Sequence, residues 1–153
     1  MGFLDFLFGK KRRVENDFFG TMLFFEIKKE PHKSYFECKR HFKPAGKAIE
    51  MAINGDMSGA MEKQTTFFKR IEDNYGAICR AIAPLVESEF KNRNSDFRLA
   101  DFDKQFEPVY LVLPRCETAP VEWEISFETK LDDEHSFTVT MSGFEAKHIL
   151  IDG

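Results

Sequence analysis

The sequence predicts an α+β domain: an antiparallel β-meander, one long helix, and a second group of antiparallel strands packed with it. Three observations predict it. Residues 21–54 are rich in aromatic and β-favouring side chains, with two turn-forming clusters among them. Residues 60–91 repeat apolar side chains at three- and four-residue steps. Residues 121–141 alternate apolar with polar. Strands segregated from a helix in this way favour α+β over an alternating α/β layout.

The elements follow in order. Residues 21–28 and 34–42 read as strands, with Glu30, Pro31 and His32 supplying the turn between them. Lys43, Pro44, Ala45 and Gly46 make the next turn, and residues 47–54 form a third strand that Gly55 and Asp56 stop. The helix carries Phe68, Ile71, Tyr75, Ile78, Ile82 and Val86 on one stripe, expected to pack against a sheet. Asp56 or Ser58 is placed to cap its start. Pro84 removes a backbone donor inside the pattern, so a kink or break is expected near Ala83 and Pro84.

Residues 92–103 read as a loop and residues 108–113 as a short apolar strand. Val121, Trp123, Ile125 and Phe127 then alternate with Glu122, Glu124, Ser126 and Glu128, which implies one buried and one wet face. Asp132, Asp133 and Glu134 turn the chain into a strand carrying Phe137, Val139 and Met141; Ser142 and Gly143 turn it into a last strand over residues 146–151. The two strand groups are expected to flank the helix.

At 153 residues the chain suits one domain, able to bury roughly 70% of its unfolded surface. Eighteen phenylalanines against three tyrosines and one tryptophan point to a core filled with rings that need no hydrogen-bond partner. The formal net charge of −4 argues against a general nucleic-acid binder. Charge is polarised: residues 1–48 hold eleven Lys/Arg and six Asp/Glu, whereas residues 116–153 hold two and nine. Such a distribution steers charged partners. Cys38, Cys79 and Cys116, widely spaced and odd in number, suggest reduced thiols in a cytoplasmic protein.

Residues 1–13 form a separate short segment, amphipathic and then basic, ahead of a single domain over residues 14–153. Phe3, Phe6 and Leu7 fall on one side of a short helix, and Lys10, Lys11, Arg12 and Arg13 follow. That order reverses a signal peptide and suits weak contact with an anionic membrane surface.

Catalytic and cofactor signatures are missing. Asn54 to Gly59 holds two glycines with no lysine placed for phosphate. His32, His41, His135 and His148 are isolated, without the paired spacing of a zinc site. Cys38 and His41, three apart in a strand, point to opposite faces, and the wet glutamates offer no pair of contrasting carboxyl environments. The expectation is a binding protein without an enzyme activity, cofactor or metal. Glu122, Glu124 and Glu128, with Asp132 and Asp133, are the candidate partner-binding residues.

Asn16, Asp17, Phe18, Phe19 and Gly20 open the first strand, Tyr35, Phe36 and Glu37 mark the second, and Asn54, Gly55 and Asp56 end the third. Gln64, Phe67, Phe68, Ile71 and Tyr75 follow on the helix. This layout resembles small bacterial immunity proteins and domains of unknown function associated with polymorphic toxin systems. The likeness covers residues 17–82. It implies a cytoplasmic protein that binds and blocks a cognate toxin. The alternative is a membrane-surface regulatory or adaptor protein acting through the N-terminal segment.

Overall fold

The computed structural model describes residues 12–57 and 61–152. The chain is α+β. Its strands are β1 (Arg12–Asn16), β2 (Gly20–Phe25), β3 (Tyr35–Phe42), β4 (Lys47–Asn54), β5 (Phe106–Leu113), β6 (Glu122–Thr129), β7 (Asp132–Ser142) and β8 (Glu145–Asp152). Three helices, α1 (Glu62–Asp73), α2 (Tyr75–Arg93) and α3 (Phe102–Gln105), lie in the chain between β4 and β5.

The eight strands form one sheet in chain order. Every neighbouring pair is antiparallel except β4 and β5, which run parallel. Parallel neighbours cannot be joined by a tight turn, and here the connection is the helical segment. The two strand groups therefore join edge to edge through β4 and β5 rather than flanking the helices.

The first hairpin begins earlier than the sequence suggests, because β1 starts at Arg12. Its turn rests on Asn16, whose side-chain oxygen accepts from the backbone N–H groups of Phe18 (2.9 Å) and Phe19 (2.8 Å). Gly20 closes it at φ 76°, in the left-handed region glycine tolerates.

The expected single helix is two. The break falls at Asn74 and not at Pro84. Asn74 adopts φ −110° and ψ 16°, and its side-chain amide donates to the Arg70 carbonyl at 2.7 Å, competing with the helix's own ladder. Pro84 stays inside α2 because it is exposed, as is Arg80, whose carbonyl loses its partner on the wet side of the helix. The apolar stripe runs through the break: Phe68, Ile71, Ile78, Ile82 and Val86 are all fully buried.

The start of α1 also differs from expectation. Ser58 lies outside the described residues, and Asp56 sits in the preceding loop opposite Arg115 at 3.8 Å. The first turn is instead closed by Gln64, whose side-chain oxygen accepts from the Met61 N–H at 2.9 Å.

All three helices contribute to one core on one face of the sheet. Ten phenylalanines are buried in it. Phe68 meets Phe42 edge-on at 5.9 Å, Phe67 meets Trp123 at 6.0 Å, and Phe90 lies 5.4 Å from Phe137. Such ring pairs add to the area term that dominates folding.

Candidate functional site: the open face of the sheet

Side chains alternate across a strand, so the residues between the core positions point to the opposite face. No helix among the described residues covers that face. Cross-strand register arranges it in rows. One row runs Arg13, Leu23, Glu37, Ala52, Val112, Glu124, Thr140 and His148 from β1 to β8. The adjacent row holds Glu15, Thr21, Lys39, Glu50, Tyr110, Ser126, Thr138 and Leu150.

The middle of the face is apolar and aromatic. Ala52 is buried; Leu23, Val112, Tyr35 and Tyr110 are half-buried. Phe25 stacks on Tyr35 with centroids 5.2 Å apart and planes 9° from parallel. Burial pushes the Tyr110 phenol up to about 12, and the charges of Glu37 and Glu50 add to the shift. Tyr35 is raised too, by burial and then by Glu37. Between β1 and β5 the face hollows into a pocket of about 550 Å³ lined by Arg13, Leu23, Glu37, Lys39, Glu50 and Tyr110. Its one ion pair, Lys39 with Glu50, is long at 3.8 Å.

Glu122, Glu124 and Glu128 are all exposed on this same face, as the alternation requires. Glu124 lies beside Val112 and Thr140, and Glu128 beside Ser136. Ser126 and Thr138 hydrogen-bond across the strands at 2.9 Å. Neither β6 nor β7 contains a lysine or arginine. Asp132 and Asp133 begin β7, where Asp132 opposes Thr129; their side chains lie outside those described.

Of the N-terminal residues, Phe3, Phe6, Leu7, Lys10 and Lys11 lie outside the described residues. Arg12 and Arg13 belong to β1 and are exposed. Arg13 lines the open-face pocket.

The residues singled out for chemistry are dispersed. Cys38 is buried in the core while His41 is exposed. Burial raises the Cys38 thiol to about 11, the Cys79 thiol to about 12 and the Cys116 thiol to about 11, which keeps them protonated and poorly nucleophilic at neutral pH. Among the described residues no three His, Cys, Asp or Glu side chains converge in a metal-binding group, and no helix is long and apolar enough to cross a membrane.

Glu37, Glu50 and Tyr110 escaped sequence reasoning as a group. The β3 alternation marks Glu37 and Lys39 as wet, but only the parallel register of β4 on β5 sets Tyr110 beside Glu50. Comparison with protein families, curated proteins and solved structures found no match for this chain. Its class is defined by architecture alone: an α+β sheet protein with helices on one face and a mixed aromatic and acidic surface on the other.

Proposed function

We propose that this chain is a binding protein without catalytic activity, an immunity protein that presents the open face of its sheet to a cognate bacterial toxin. The observation that carries the reading is the composition of that face. Half-buried aromatic residues (Tyr35, Tyr110) sit at its centre and carboxylates (Glu37, Glu50, Glu124) surround them. Protein interfaces are built this way, with aromatic anchors inside a charged rim. The acidic half, unrelieved by lysine or arginine on β6 and β7, suits a toxin whose active site is basic because its substrate is a nucleic acid or nucleotide. The resemblance of residues 17–82 to immunity proteins supplies the partner class.

The test is association with the partner recovered by co-purification from the native host, measured across a salt series. The wild-type on-rate is expected to fall as salt rises, and Glu122→Lys/Glu124→Lys to lose most of that dependence and at least about tenfold in rate at low salt. Co-expression of the wild type should also protect cells from the toxin. Unchanged rates and an unchanged salt slope would retire the acidic face. A second reading, membrane-surface contact, draws on exposed Arg12 and Arg13 continuing Lys10 and Lys11. Deleting residues 1–11, which spares β1, should leave toxin binding intact; loss of membrane localisation alone would favour that second reading.

A further inference from the structure

The pocket between β1 and β5 is concave, and its walls are chemically unequal. On the β1 side stand Arg13 and Leu23; on the β3 to β5 side stand Glu37, Lys39, Glu50 and the half-buried ring of Tyr110. Glu37 has no ion-pair partner among the described residues. Arg13 is in its row but two strands away, about 10 Å at normal strand spacing, with Leu23 between them. Glu50 has Lys39, at the outer limit of an ion pair. Glu15, the other carboxylate near Arg13, is engaged by the Thr21 hydroxyl at 2.9 and 3.0 Å. The acidic field of the neighbouring β6 strand reaches this side of the pocket first, because Glu124 is separated from it only by Val112 and Ala52.

Resting on the reading of this face as the partner-binding surface, we infer that the pocket accepts one arginine side chain of the toxin, stacked on Tyr110 and held by Glu37 and Glu50. A volume of about 550 Å³ admits a long side chain with part of its backbone. Arginine fits better than lysine for two reasons: its flat, weakly hydrated guanidinium stacks on an aromatic face, and its fork of donors reaches two carboxylates at once. Glu37 is met directly, and Glu50 by displacing a loosely held Lys39. An anion would gain only Arg13 and the loosely held Lys39, against two carboxylates and the Glu124 field.

The probe is Nα-acetyl-arginine-N-methylamide, titrated into isotopically labelled protein and followed by NMR, with the lysine counterpart as comparison. Saturable shifts are expected at the Leu23 and Val112 methyls and the Tyr110 ring. Glu37→Gln/Glu50→Gln should weaken the probe at least about fivefold, while Asp73→Asn, exposed at the end of α1 on the helix side, should leave it within about twofold. Shifts that do not saturate, an equal response to the lysine probe, or unchanged affinity in the Glu37→Gln/Glu50→Gln variant would each overturn the assignment. With the toxin itself, Glu37→Gln/Glu50→Gln should speed dissociation, whereas Glu122→Lys/Glu124→Lys should slow association. If the titration fails while that salt-dependent association stands, the pocket falls and the face reading does not. If neither double variant alters toxin binding, the face reading falls with it.

Discussion

Gln64 is fully buried, and its amide holds three backbone groups from three parts of the chain. It accepts from Met61 at the start of α1 and donates to the Asn54 carbonyl at 2.7 Å and the Pro114 carbonyl at 2.8 Å, where β4 and β5 end. Gln64→Leu keeps the bulk and strands those groups, each worth about 1–3 kcal/mol when buried without a partner. Chemical denaturation should therefore show a loss of at least about 2 kcal/mol; a loss under about 0.5 kcal/mol would mean that water replaces the amide. The thiols make a second residue-scale prediction. Cys38 and Cys79 ionise near 9 when free of the fold, and burial moves them to about 11 and about 12. Below the unfolded value both states hold the proton and the fold is fully stable. As pH rises from there towards the folded values, the unfolded chain releases protons first and stability falls. The urea midpoint should thus decline from about pH 9 towards about pH 11, and Cys79→Ala should flatten that decline. An equal slope in the variant would assign the loss to other groups, such as the raised phenols of Tyr75 and Tyr110.

At the scale of elements, α1 and α2 work as one apolar stripe across the helix break at Asn74. Ile78 begins the buried part of α2 one turn after Asn74, whose carbonyl accepts from the Ile78 N–H at 3.0 Å. The Ile78 side chain is fully buried in the shared core. Ile78→Ala removes three carbon atoms from a close-packed site and should cost about 2–5 kcal/mol. Thermal or urea unfolding checks this, and a cost well under 1 kcal/mol would show a core able to collapse around the gap. The stripe was legible because its spacing is set by helical geometry, whatever interrupts the backbone. Pro84 is a strong local signal for an interruption, yet the helix continues through it at an exposed position where water can take the carbonyl it frees. Asn74 is a weak signal that acts through one hydrogen bond.

At the scale of the whole molecule, the parallel pairing of β4 with β5 makes a single sheet from what would otherwise be two small ones. A single sheet with every described helix on one side leaves one broad face without helical cover. That continuity places the acidic stripe of β6 next to Tyr110 and Glu50, so that steering and anchoring occur on one surface. The helix side supplies the control for the toxin experiment: Arg80 is exposed on α2, and Arg80→Glu should leave the association rate within about twofold. A larger change would move the interface to the helices.

The α+β class, most strand positions, the apolar stripe of the helices and the wet side of Glu122, Glu124 and Glu128 are legible in the amino-acid order alone. These follow from periods of two and of 3.6, which are local properties of the backbone and need no knowledge of neighbours. Gln64 stood out only through the resemblance to immunity proteins, which does not show why a glutamine should stand there. That β1 extends the sheet at Arg12, that the helix breaks at Asn74, and that Glu37, Glu50 and Tyr110 share a pocket emerges from the folded arrangement. Those features depend on which strands become neighbours and in what register, and β4 and β5 are separated by some fifty residues of chain. A pairing over that distance is settled by burying one continuous core, to which no short stretch of sequence bears witness.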